Sequence, residues 1–108
     1  MPHARPTPRD QFVQTSATIL SAMANAARMS ILTTLLTGEI SVGALSVQVG
    51  LSQSALSQHL SKLRGAGLVS SRREAQTIYY RCDSEIVRQV LATLSAIFPP
   101  ATRPAEAA

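Results

Sequence analysis

The run Ser52-Gln53-Ser54-Ala55-Leu56-Ser57-Gln58-His59-Leu60-Ser61-Lys62-Leu63-Arg64 gathers hydrogen-bonding side chains without a single carboxylate. A Gln amide pairs bidentately with adenine, a Ser hydroxyl bonds to base edges or phosphate, and Lys62 and Arg64 suit phosphates. On a helical wheel Leu56, Leu60 and Leu63 fall on one narrow arc, which must be buried. Ser54, Gln58 and Ser61 then point the opposite way, with Ser57 on the flank. Gln53 sits in the first turn, where a recognition helix meets base edges. The plain alternative is a solvated polar face. Such a face usually mixes Glu with Lys, and serine is a poor helix former, so an acid-free serine-rich helix fits nucleic-acid contact better. His59 lies beside the leucine arc and reads as a packing or phosphate-contact residue rather than a metal ligand.

A second polar group follows. Arg72, Arg73 and Arg81 cluster around a polar turn that ends at Gln76. A hairpin there can set Arg73 and Gln76 against the DNA backbone or the minor groove. An edge hairpin protected by charge would look similar, and both can hold at once. Tyr79 and Tyr80 are adjacent, so they face opposite sides of a strand. One is expected in the core, and only the other can meet a partner.

Charge supports the same reading. From Ser52 to Arg81, Lys62, Arg64, Arg72, Arg73 and Arg81 stand against Glu74 alone, which accounts for the whole formal net charge of +4. The rest of the chain is balanced. A neutral body with one basic segment points to an anionic macromolecule. The 108-residue length is that of one domain, and 45% hydrophobic with 15% charged residues excludes intrinsic disorder. No apolar run is long enough to cross a bilayer, so no membrane partner is expected. The opening residues lack a secretory core, and the single cysteine, Cys82, cannot form an internal disulfide or a thiolate metal site. A cytoplasmic, disulfide-free domain without a cofactor is expected. Catalysis has little to stand on: His3 lies in a tail, His59 in the polar helix, and no serine has a nucleophile-elbow setting.

The elements that would hold these groups can be read from periodicity and caps. All six prolines lie outside residues 9–98. The expected division is a flexible tail over 1–10, one domain over 11–98 and a second flexible tail over 99–108. Phe12, Ile19, Leu20 and Met23 form a helical stripe. Asn25 caps a second helix that stops at Thr37-Gly38, Ser41 a short third one, and Ser52 the polar fourth. Leu68–Arg72 and Thr77–Arg81 read as strands around Arg73-Glu74-Ala75-Gln76. Ser84 caps a last helix with Ile86, Val87, Val90, Leu91, Leu94, Ile97 and Phe98 inward, ended by Pro99-Pro100. The fold class expected is mainly α with a small β-hairpin: a winged helix-turn-helix of five helices and a two-stranded wing.

The run from Val49 to Leu60, then Leu63-Arg64, Gly67-Leu68-Val69, Arg72-Arg73 and Gln76-Thr77-Ile78-Tyr79-Tyr80, resembles the ArsR/SmtB family of winged-helix repressors. Leu20 to Asn25 and Arg28 match its earlier helices, and the resemblance covers about residues 17–98. It implies a homodimer that binds imperfect palindromic operators in double-stranded DNA and represses. It assigns groove contacts to Gln53, Ser54, Ser57 and Gln58 and backbone contacts to the wing from Arg72 to Gln76. It also places a dimer seam on the first and last helices, here Phe12, Ile19, Leu20, Met23, Val87, Val90, Leu91, Leu94 and Phe98. The family's metal-sensing thiol pair has no counterpart in Ser41-Val42-Gly43-Ala44-Leu45. The last helix lacks the His and acid set of the second metal site. The positions matching the family's dithiol switch are Thr33 and about Pro99. Cys82 leaves one alternative, a redox or reactive-sulfur sensor with its thiol activated by a nearby cation. The other alternative is a winged helix used for protein contacts.

Overall fold

The computed structural model describes residues 5–97 and 99. Helix α1 spans Pro8–Met23. It starts inside the stretch expected to be a tail, because Thr7 and Asp10 form a reciprocal cap. The Asp10 amide donates to Thr7 Oγ1 at 3.0 Å and the Thr7 amide to Asp10 Oδ2 at 3.1 Å. Pro8 begins the helix rather than excluding it, since its missing N–H and fixed φ suit the first turn. Phe98, the last residue of the expected domain, and the expected C-terminal tail beyond Pro99 lie outside the described residues.

Helix α2 spans Ala26–Leu35, α3 Val42–Val49 and α4 Gln53–Gly65. Their caps are the three expected ones: Asn25 Oδ1 accepts from Arg28 N, Ser41 Oγ from Ala44 N and Ser52 Oγ from Ala55 N. Helices α3 and α4 end alike. Gly50 and Gly67 take left-handed φ of 69° and 75°, and the amides after them reach back to Ser46 and Leu63 carbonyls at 3.1 and 3.0 Å. Each is a Schellman ending, which needs glycine at that position. The following Leu51 and Leu68 turn back toward the core, so α3 and α4 are held at a fixed angle.

The sheet carries one strand more than the pattern suggested. β1 (Ile40–Ser41) pairs antiparallel with β3 (Thr77–Arg81), whose other edge pairs with β2 (Ser70–Glu74). Two residues are too few for an alternation to register. The turn shrinks to Ala75-Gln76, and Arg73 and Glu74 belong to the strand, opposite Ile78 and Thr77. Leu68 and Val69 precede the strand and are buried. α5 (Glu85–Ile97) closes the chain, with the Val87 amide donating to Ser84 Oγ at 3.2 Å.

One core joins these elements. Ile31, Leu32 and Leu35 of α2, Leu45 of α3 and Leu56, Leu60 and Leu63 of α4 are buried, with Tyr80 closing it from the sheet. The leucine arc of α4 is therefore the rail that fixes which side of the helix meets solvent.

Candidate nucleic-acid interface

With its leucines inward, α4 presents an exposed ridge of Ser54, Gln58 and Ser61. Ser57 and Lys62 flank the ridge and are also exposed. The two flanks meet different neighbours. On one, Gln53 shares a groove of about 450 Å³ with Gln76 and Thr77 of the wing and with Ser41, Val42 and Gly43 at the start of α3. Two glutamines 23 positions apart in the chain thus border one polar trough. Farther along this flank, Arg64 Nη1 donates to the Tyr80 hydroxyl at 3.1 Å. That contact ties the last turn of α4 to the sheet. The guanidinium remains exposed and free of any carboxylate among the described residues.

The other flank faces α1 and α2. His59 is half-buried, with Nδ1 3.4 Å from Arg28 Nη1, and Arg28 Nε donates to the Ala22 carbonyl at 2.6 Å. His59 thus packs against α2 and is turned away from the polar ridge. Of the two roles expected for it, this contact favours packing. Arg28 bridges the end of α1 to α4, a role that no local sequence pattern signals.

Arg72 departs furthest from expectation. Its Nη2 and Nε meet Glu39 at 2.8 to 3.0 Å, its Nη1 meets Glu74 at 2.8 Å, and its guanidinium carbon lies 4.5 Å from the centre of the Tyr79 ring. The Arg72 hydrogen bonds hold the Glu39 carboxyl below the ordinary carboxylate range, and they raise Arg72 itself. A guanidinium so engaged has little left for phosphate. Of the two adjacent tyrosines Tyr80 is the buried one, and Tyr79 lies under this cation. Arg73, one residue on, is exposed and makes no ion pair among the described residues.

The described carboxylates are all engaged: Asp10 with Thr7, Glu39 and Glu74 with Arg72, Asp83 with Arg81 at 2.7 Å and Glu85 with Arg88 at 3.5 Å. The cations without an acidic partner among the described residues include Lys62, Arg64 and Arg73, which surround the ridge. Pairing thus occupies Arg72, Arg81 and Arg88 and leaves Lys62 and Arg64 of α4 and Arg73 of the wing as unpaired positive charge among the described residues.

Cys82 is 4% exposed. Burial pushes its thiol up, the Ser84 backbone hydrogen bond pulls the other way, and Arg81 is spent on Asp83. Burial and the Asp83 charge outweigh the help of Arg88 and work against an activated thiol, and the sulfur has little access to solvent. Among the described residues no three metal-binding side chains stand together, and no helix is long and apolar enough to cross a membrane.

The expected seam divides in two. Met23 and Val87 are buried in the protomer's own core, at 3% and 0% exposure, and offer nothing to a partner. Phe12 and Leu20 are 71% and 51% exposed, and with Ile19, Ile86 and Val90 they border an apolar groove of about 600 Å³ between α1 and α5. Leu91 and Leu94 are half-buried beside α2.

Residues 25–71 match the model of the bacterial regulatory proteins of the arsR family. The nodulation protein NolR of Rhizobium meliloti is 54% identical over 93 residues, which span 86% of this chain and 76% of that protein. The chain belongs to the ArsR family. Two solved structures extend the match to the fold. NolR from Sinorhizobium fredii superposes with a TM-score of 0.82 at 51% identity, covering 94% of this chain and 100% of that one. The winged helix-turn-helix DNA-binding domain Mb0332 of Mycobacterium bovis, a homodimer in solution, superposes with a TM-score of 0.75 at 31% identity, covering 88% and 89%. ArsR proteins are transcription regulators rather than enzymes, and their winged helix binds DNA. The family match begins at Asn25, the cap of α2, and so takes in α2 to α4 and the first residues of β2, the elements that carry Arg28, Glu39 and the polar ridge.

Proposed function

We propose that this ArsR protein is a homodimeric repressor in which α4 enters the major groove and Gln53, Ser54, Ser57, Gln58 and Ser61 meet base edges and adjoining phosphates. Lys62, Arg64 and Arg73 neutralise backbone phosphates, and Gln76 follows the groove from the wing tip. The observation that carries this reading is the trough shared by Gln53 and Gln76. A helix start and a wing tip bordering one polar trough are placed to contact base edges and the adjoining backbone of a duplex together. The Phe12, Ile19, Leu20, Ile86 and Val90 groove pairs with its twin. A two-fold dimer presents two such helices, so its operator is an imperfect palindrome with half-sites about one helical turn apart. Occupying that operator excludes polymerase, which represses. The site of action is the cytoplasm, where bacterial DNA lies.

Footprinting of the purified protein on the DNA upstream of its own gene tests this directly. A protected pair of symmetric half-sites, with affinity that falls steeply as salt rises, is the expected result. Binding that ignores salt, or protection without symmetry, would sink the proposal.

A further inference from the structure

We infer that Arg72 and Glu39 form a clasp that positions the wing against the reading helix, and that Arg72 does not contact phosphate. The inference rests on the DNA-binding reading above. Arg72 on β2 stands opposite Tyr79 on β3, and Tyr79 stands opposite Ser41 on β1. The guanidinium lies over the Tyr79 ring, 4.5 Å from its centre, and reaches Glu39, the residue just before β1. One side chain therefore reaches from β2 over β3 to the residue that leads into β1. Exposed ion pairs usually contribute little, but this one is bidentate, joined by Glu74 and backed by an aromatic face, which is where such pairs do count.

The consequence is geometric. Ser41 is both the middle strand's partner and the cap of α3, and α3 sets α4 through the turn at Gly50. Closing β2 onto Glu39 thus fixes the distance between Arg73 and Gln76 on the wing and Gln53 on α4. Opening the clasp lets the two-stranded wing pivot, and the trough loses its shape.

The test exploits a difference in sign. Glu39→Gln removes a negative charge near bound DNA, so pure electrostatics predicts tighter binding. The clasp predicts weaker binding, by roughly tenfold, measured by anisotropy on a duplex that the protein selects from a random-sequence library. Arg72→Gln should give the same loss, with no further loss in the double variant, and an unchanged slope of log affinity against log salt. The exchanged pair, Glu39→Arg with Arg72→Glu, gives up the Tyr79 and Glu74 contacts, so it should recover only part of the affinity that either single variant loses. A slope reduced by about 0.9 in Arg72→Gln, as one lost phosphate contact requires, or tighter binding by Glu39→Gln, overturns the inference. Amide exchange across residues 70–81 without DNA separates this failure from failure of the DNA-binding reading. Both single variants should exchange faster there, and unchanged exchange overturns the clasp even if no duplex is bound.

Discussion

Arg64 Nη1 and the Tyr80 hydroxyl lie 3.1 Å apart, joining the last turn of the reading helix to the central strand of the sheet. Tyr80 is otherwise buried, so its hydroxyl has this one outlet. The bond fixes the pitch of α4 against the wing from the end opposite Gln53. Tyr80→Phe should lower unfolding free energy by about 1 kcal/mol, the usual net value of one hydrogen bond. Urea denaturation of the variant, with an unchanged m-value, checks it.

Gln53→Ala should weaken binding to the selected duplex by about 1–3 kcal/mol and leave binding to unrelated DNA unchanged. Competition anisotropy on both duplexes decides. Equal loss on each would show that Gln53 reads no base.

Arg73→Ala should behave in the opposite way. Its guanidinium has no acidic partner among the described residues. Affinity should fall on every sequence, and the salt slope should flatten by about 0.9 for the one phosphate released. A slope equal to the parent's removes Arg73 from the contact set.

Leu20→Glu places a charge where the protomer leaves a leucine 51% exposed. The protomer's own core is untouched, so helicity should persist. A charge introduced into a two-fold seam is buried twice, once from each protomer, and the dimer should dissociate with loss of operator binding. Sedimentation at micromolar concentration reads this, and a variant that remains dimeric refutes the seam.

The Glu39 carboxyl is held below its ordinary value by Arg72. A depressed carboxyl contributes stability that is fully present above its ordinary value and is lost progressively as pH falls from there through the lowered value. Wing order should therefore hold from pH 7 down to the ordinary glutamate value near about 4.3 and decline progressively below it. A side-chain NMR titration should find the Glu39 midpoint below the free value in the parent and returned to it in Arg72→Gln.

The sequence made some of this visible and concealed the rest for identifiable reasons. The polar ridge was legible because Leu56, Leu60 and Leu63 recur at helical spacing, and because Ser52 is a strong cap; both are local signals. The caps at Asn25, Ser41 and Ser84 were legible for the same reason. The Arg72–Glu39 pair was not, since 33 residues separate the two and no periodicity links a loop acid to a strand cation. Arg72 looked like its neighbour Arg73 in composition, and only the fold distinguishes the engaged cation from the free one. Met23 and Val87 lie on the helices of the expected seam but on their inner arc, and a stripe as wide as theirs does not say where the core ends and an exposed face begins. Residues 40–41 carried no alternation, so β1 emerged only from its pairing with β3.

Within its own subunit α5 buries Val87 alone, while Ile86 and Ile97 remain 50% and 71% exposed. A helix so thinly anchored gains most of its cover from a twin. If the seam forms as proposed, assembly and ordering of α5 are one equilibrium, and operator occupancy in the dilute limit grows with the square of protomer concentration. The cell could then throw this regulator sharply on or off by synthesis and turnover alone, with no effector molecule needed.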